Sequence, residues 1–109
     1  MPKSDKLQGS LEVLILKVLS RRPNIHGYAI ITAIRQVSAE VLQVEDGSLY
    51  PALHRMEQAG WIRAKWSARD AGDRRRVYEL TRAGHKQLAQ DEVRWQSVTL
   101  AINRVLRMV

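Results

Sequence analysis

The spacing of apolar residues changes from a helical to a strand period at one point in the chain, near Trp61. Three segments before that point place apolar side chains three and four residues apart, as on one face of an amphipathic helix. After it, apolar and polar side chains alternate from Trp61 to Arg69, as in a half-exposed strand. The pattern predicts a mainly α fold, with three helices followed by a small β-hairpin.

The first two helices are predicted from short apolar stripes. The first runs from Ser10, a candidate N-cap, to about Arg21. The second runs from His26 or Gly27 to Ala39, and His26 is expected to cap or pack at its start. Its inner face is expected to carry Tyr28, Ile31 and Ile34, and in the next turn Val37 rather than the polar Ser38. The valine-rich segment 41–44 is expected to be either a stub of strand or an extended linker.

The stretch DGSLYPALHRMEQAGWI, from Asp46 to Ile62, predicts the third helix. Its inner face carries three apolar residues at helical spacing, which are Leu49, Leu53 and Met56. If Ser48 is the N-cap, the helix begins at Leu49. Pro51 then falls in the first turn, where a missing backbone N–H costs nothing.

The sequence also predicts where this helix ends and which residues lie on its outer face. The helix is expected to end near Ala59, with Gly60 as a left-handed cap. Its outer face is polar and basic with an aromatic edge, and carries Pro51, His54, Arg55 and Gln58, with Tyr50 on the flank. Such a face suits the DNA major groove, because long polar side chains reach base edges there. An ordinary solvated helix face has the same pattern, so both interpretations stay open.

The hairpin is the most basic part of the chain. Its strands are expected over Trp61 to Arg69 and Val77 to Leu80, with a tip near Ala71, Gly72 and Asp73 and with Trp66 against the body of the domain. Between Arg63 and Arg76, six basic and two acidic residues give a net charge of +4, out of +7 for the chain. Arg74, Arg75 and Arg76 follow the turn directly.

Consecutive arginines on a hairpin arm fit contacts with phosphate or with the DNA minor groove. The alternatives are a solvated basic loop and, less well supported, an anionic membrane surface. The chain offers no basic amphipathic helix with a spare apolar face to insert into a membrane. Three helices and a two-stranded wing are the elements of a winged helix-turn-helix domain.

A long final helix is expected from an N-cap at Thr81 towards Val109. Its apolar residues form a seam at alternating spacings of three and four, consisting of Trp95, Val98, Ile102, Val105 and Val109, and widened by Leu106. A homodimer would bury this seam, although part of it could pack on the first helix. The sequence therefore predicts a DNA-binding domain over residues 1–82 and a dimerisation helix over 83–109. Trp95 is expected in the core of that interface, or alternatively against a flat aromatic ligand between subunits.

No catalytic, metal or cofactor site is expected. The chain has no cysteine, and its three histidines, His26, His54 and His85, fall on different elements without ligand spacing. No signal peptide or membrane span is expected either, which fits a cytoplasmic protein.

In order and spacing, the motifs HGY (residues 26–28), SLYPAL (48–53) and RRVYELTRAG (75–84) resemble the PadR family of transcriptional regulators. The resemblance is to the short type, with a single C-terminal helix. It implies a winged-helix DNA-binding domain, a dimerisation helix, repression from a pseudo-palindromic operator in double-stranded DNA, and, in many members, release by a small effector such as a phenolic acid. The DNA contacts that it implies are Tyr28, Ser48, Tyr50, Pro51, His54, Arg74, Arg75 and Arg76.

The sequence is therefore compatible with three functions. The first is a dimeric, sequence-specific DNA-binding regulator, most simply a repressor, with relief by a small aromatic effector as a further expectation. The second is a winged-helix module for protein–protein contact, in which the wing arginines meet an acidic partner. The third is chiefly a small-molecule sensor, with release of DNA as its output.

Overall fold

The computed structural model describes residues 10–68 and 74–109. Along the chain, three helices are followed by an antiparallel hairpin and then by one long helix, as the sequence predicts. The elements are α1 Ser10–Arg21, α2 Gly27–Val37, α3 Asp46–Gln58, β1 Ile62–Ala68, β2 Arg74–Leu80 and α4 Arg82–Leu106. The fold is a winged helix, and the β1–β2 hairpin is called the wing below. The predicted hairpin tip at residues 71–73 lies outside the described residues.

The core lies between the first three helices and is closed by the wing and α4. Its fully buried side chains are Ile15, Leu16, Leu19, Ile30, Leu49, Leu53 and Met56. Ile62, Tyr78 and Leu80 of the wing and Leu88 of α4 complete the cluster. The predicted bounds of α1 and the predicted inner face of α3 are therefore confirmed.

The inner face of α2 was predicted only in part. Ile31 and Ile34 are buried, but Tyr28 is 62% exposed and Val37 is 77% exposed. The buried stripe instead runs along Ile30, Ile31, Ala33 and Ile34. Tyr28 lies two residues before Ile30, about 200° around the helix, and so points away from the core. Val37 is in the last helical turn, where it borders an open groove.

The start of α3 was predicted three residues too late. The backbone N–H groups of Ser48 and Leu49 both donate to the carbonyl of Glu45, at 3.0 Å each, so the helix already begins at Asp46. Glu45 occupies the N-cap position without a side-chain hydrogen bond, and Ser48 is not the cap. Pro51 is consequently the sixth helical residue, beyond the first turn, and deprives the Gly47 carbonyl of a helical partner. Gly47 is exposed, so water can serve that carbonyl.

The end of α3 is as predicted. Gly60 has φ +81° and follows the C-cap residue Ala59. Its N–H donates to the Glu57 carbonyl, and the N–H of Trp61 donates to the Met56 carbonyl, both at 3.0 Å. These two bonds form a Schellman motif, which redirects the chain from α3 into the wing.

The wing is longer in its second strand than the sequence suggested, because β2 begins at Arg74 and not at Val77. Trp66 lies directly opposite Arg76 in the register. On its other side β2 pairs with the segment before α2, where the Tyr78 N–H donates to the Ile25 carbonyl at 2.9 Å. This bridge ties the wing to the start of α2. Residues 41–44 form neither strand nor helix, so the linker alternative is correct.

Helix α4 begins as predicted and docks closely on the end of α3. Thr81 Oγ1 accepts from the Gly84 N–H at 3.1 Å and donates to the Gly60 carbonyl at 2.6 Å. A Cβ atom added at Gly84 would overlap the carbonyl oxygen of Trp61. The helix ends at Leu106, three residues before the predicted end at Val109.

Candidate nucleic-acid interface

A cleft of about 600 Å³ separates the outer face of α3 from the wing, and the start of α2 closes one end of it. It brings together five residues that the sequence selected for DNA contact, namely Tyr28, Tyr50, His54, Arg75 and Arg76. The other lining residues are His26, Gly27, Leu53, Glu57, Trp66 and Tyr78. The cleft is therefore rich in aromatic and basic side chains.

The approach of α2 to α3 depends on Gly27. A Cβ atom at this position would lie 2.7 Å from the hydroxyl oxygen of Tyr50 and 2.9 Å from two of its ring carbons. Only glycine leaves room for the Tyr50 ring there. The HGY motif thus supplies a helix cap, a gap for the tyrosine of the next helix and an exposed tyrosine of its own.

His26 links the start of α2 to the wing, and its predicted capping role is confirmed. Its Nδ1 accepts from the backbone N–H of Ala29 at 3.3 Å, and its Nε2 lies 3.2 Å from Nη1 of Arg75. A neutral imidazole has one acceptor nitrogen, so it accepts from one of these two donors at a time. The Arg75 guanidinium lies beside this ring, close to the N-terminus of α2.

Arg76 and Trp66 form the opposite wall of the cleft. The Arg76 guanidinium donates to Oε2 of Glu57 at 3.1 Å, and its central carbon lies 5.9 Å from the centre of the Trp66 ring. Trp66 is 57% exposed, so the expectation that it packs against the body of the domain is wrong. It shares the inner face of the wing with Ile62 and Ala64, but it lies farther out, where that face turns towards the cleft.

Burial raises the pKa of the Tyr78 hydroxyl, and the nearby charge of Arg76 opposes that shift. The hydroxyl therefore stays protonated at neutral pH and can donate a hydrogen bond. On the opposite face of the wing, a hydrogen bond from Arg63 holds the pKa of Glu79 below its ordinary value. Glu79 lies 3.0 Å from Arg63 and 3.6 Å from Lys65, so both of these cations on β1 have an acidic neighbour.

The remaining residues selected from the sequence lie outside the cleft. Arg55 is on the flank of α3 that faces α1, where it pairs with Glu12 at 2.8 Å. Ser48 borders a different groove, formed with α1 and the segment before α3. Pro51 and Gln58 are exposed on the outer face of α3. The backbone of Arg74 belongs to β2, and its side chain lies outside what the structure describes.

The residues of the final seam differ in exposure along α4. Trp95 packs partly against the core of its own chain, and Val98 is half-buried. Ile102, Val105, Leu106 and Val109 are exposed. Beside the seam, α1 and α4 border a second groove of about 460 Å³, which Trp95 and Leu100 help to line.

Within 10–68 and 74–109, no group of three or more His, Cys, Asp or Glu side chains could hold a metal ion. Across those same ranges, no helix has the length and apolar character needed to cross a bilayer.

Known proteins match both the sequence and the fold. The profile of the transcriptional regulator PadR-like family matches residues 15–90. A PadR-like transcriptional regulator from Bacillus cereus is 30% identical, with a TM-score of 0.78 over 97% of this chain and 100% of that one. A transcriptional regulator from Clostridium thermocellum is 28% identical, with a TM-score of 0.81 over 95% and 97% of the two chains. A PadR family transcription regulator from Clostridium difficile is 28% identical, with a TM-score of 0.74 over 90% and 99%.

Proposed function

Because the chain belongs to the PadR-like family of transcriptional regulators, we propose that it binds a pseudo-palindromic operator in double-stranded DNA as a homodimer and represses transcription there. Family membership makes the chain a DNA-binding regulator and not an enzyme. The observation that carries the finer proposal is the cleft between α3 and the wing, which gathers Tyr28, Tyr50, His54, Arg75 and Arg76.

In this proposal the outer face of α3 enters the major groove. Tyr50, Pro51, His54 and Gln58 are exposed along that face, and His54 and Gln58 lie one turn apart. These four side chains face the base edges, and Tyr28 meets the sugar–phosphate backbone at the end of the cleft formed by the start of α2. Ser48 and Arg55, at the edges of the same helix, serve as flanking contacts, and Arg55 exchanges Glu12 for the DNA to do so.

In this proposal the wing supplies the DNA contacts that do not depend on the base sequence. We assign phosphate contacts to Arg74 and Arg75, and to Arg76 whenever Glu57 releases its guanidinium, in keeping with their position on β2. The proximity of Arg75 to the N-terminus of α2 supports this, because free helix N–H groups and an arginine favour the same anion.

Dimerisation is proposed through α4. Residues 1–82 then form the DNA-binding domain and 83–109 the dimerisation helix, whose interface consists of Trp95, Val98, Ile102, Val105, Leu106 and Val109. The exposed apolar side chains at the end of α4 support this, since a second copy would remove them from water. A dimer would also set two α3 helices about one DNA turn, roughly 34 Å, apart.

A small aromatic effector is proposed as the signal that releases the DNA, and the cytoplasm as the place of action. The partial burial of Trp95 against its own core favours a packing role for the indole ring. An effector at Trp95 would therefore contact the part of the ring that its own chain leaves exposed. Quenching of Trp95 fluorescence by planar ligands, measured in a variant that lacks Trp61 and Trp66, tests that placement.

The proposed function predicts a strong preference for one DNA site. We expect the protein to bind the DNA upstream of its own gene about 10³-fold or more tightly than scrambled DNA of equal length, with two chains per site. Fluorescence anisotropy across a salt series measures the preference, and sedimentation of the complex measures the stoichiometry. Equal and steeply salt-dependent binding to both DNAs would contradict operator recognition at that site.

A further inference from the structure

Glu57 is the single acidic residue among the described residues that line the cleft. It lies on the side of α3 that faces the wing, next to the outer face that carries His54 and Gln58. DNA phosphates that enter the cleft would approach this carboxylate, and like charges repel. An acid here works against DNA binding unless its charge is compensated.

The compensation comes from Arg76. Oε2 of Glu57 accepts from Nη2 of Arg76 at 3.1 Å, and Trp66 lies beneath the same guanidinium. The side chain of Glu57 is 29% exposed and that of Arg76 is 48% exposed. Ion pairs as exposed as this one contribute little to stability, so stabilising the fold does not account for the acid.

We propose that Glu57 limits the affinity of the DNA site by competing with phosphate for Arg76. This inference rests on the proposed function. While the carboxylate holds the guanidinium, one cation of each wing is withheld from the DNA backbone. Backbone contacts carry no sequence information, so the limit applies equally to DNA of any sequence. Glu57 thereby keeps the complex weak enough to dissociate, without changing which bases are read.

The test removes the charge of Glu57 and keeps its shape. Glu57→Gln is nearly isosteric, and glutamine has the same helix propensity as glutamate, so the fold is retained. A scrambled 40-base-pair duplex is the probe, because the effect does not depend on sequence. The slope of log affinity against log salt concentration is expected to steepen by about 0.9 per bound chain, which reports one additional phosphate contact. The gain in DNA affinity of Glu57→Gln over the wild type is then about 3.5-fold smaller at 200 mM salt than at 50 mM salt.

Two further variants test whether Arg76 is the cation that Glu57 withholds, and whether the position of the removed acid matters. In Glu57→Gln combined with Arg76→Ala, the slope is expected to return to that of the wild type, because the released cation is gone. Glu79→Gln is the matched control, since it removes the same charge from an ion-paired acid on the opposite face of the wing. Its slope is expected to stay at the wild-type value.

The outcomes separate the two proposals. If the wild type binds no DNA even at 50 mM salt, the proposed function is overturned and this inference with it. If the wild type binds but Glu57→Gln does not steepen the slope, Glu57 does not limit affinity and the proposed function still stands. Equal steepening in Glu79→Gln would reduce the effect to net charge and would also overturn the inference. The inference would also be overturned if the variant that combines Glu57→Gln with Arg76→Ala kept the steeper slope.

Discussion

Replacing Ile102 with glutamate should convert the protein to a monomer and weaken its binding to the DNA upstream of its own gene by about 10²-fold or more. Ile102 is the central residue of the seam on α4, and in the single chain it is 42% exposed. In the proposed dimer a carboxylate there would be buried opposite its own symmetry mate, without a cation to pair with. The loss of DNA affinity follows because two linked half-sites bind far more tightly than one.

The measurement combines light scattering for the mass of the particle with anisotropy for DNA binding. Ser97→Glu is the matched control, because it adds the same charge to an exposed position about 140° around the helix from Ile102. It should remain dimeric and keep its affinity. If Ile102→Glu stays dimeric at micromolar concentration, the interface lies elsewhere on the chain.

Features that depend on near neighbours in the sequence were predictable. The bounds of α1, the inner face of α3 and both caps at its junction with α4 follow from periodicity and from the conformations that individual residues favour. Gly60 has the positive φ that its position after α3 indicated, and Thr81 accepts the hydrogen bond expected of an N-cap. In each case the cause lies within a few residues.

Features set by the ends and edges of the fold were not predictable. The pattern of α3 suggested a side-chain cap at Ser48, whereas the backbone of Glu45 starts the helix a turn earlier. The alternation correctly placed Trp66 on the same face of β1 as Ile62 and Ala64. It could not indicate that this face no longer covers the core at the position of Trp66. Val37 was misplaced for the same reason, because a periodic pattern does not show where a neighbouring element stops.

The cleft shows the same division. Its basic and aromatic residues were visible as a polar helix face and a run of arginines, and five of them line the cleft. Its ion pairs were not visible, because they join residues far apart in the chain. Arg55 and Glu12 are 43 positions apart, and Arg76 and Glu57 are 19 apart. Only the packing of α3 against α1 and the wing brings these partners together.

The second large effect concerns stability, and it is expected from Gly84→Ala at the start of α4. The new Cβ would overlap the carbonyl oxygen of Trp61, and it would lie 3.3 Å from Cδ2 of Leu80. The Trp61 carbonyl cannot move aside freely, because it accepts from the Thr81 N–H at 3.0 Å. We expect a loss of about 3 kcal/mol or more in the free energy of unfolding. For a domain of this size that lowers Tm by about 12 °C or more.

Gly47→Ala provides the control, since it is the same substitution at a helical glycine with no atom within 4 Å of the new Cβ. There the gain in helix propensity should raise stability by about 0.5–1 kcal/mol. Urea denaturation followed by circular dichroism, at one fixed protein concentration, measures both changes. The opposite signs follow from packing alone, because both variants lose the same flexibility in the unfolded chain. If Gly84→Ala were as stable as Gly47→Ala, the close docking of α4 on the end of α3 would be wrong, and with it the geometry that carries the dimerisation helix.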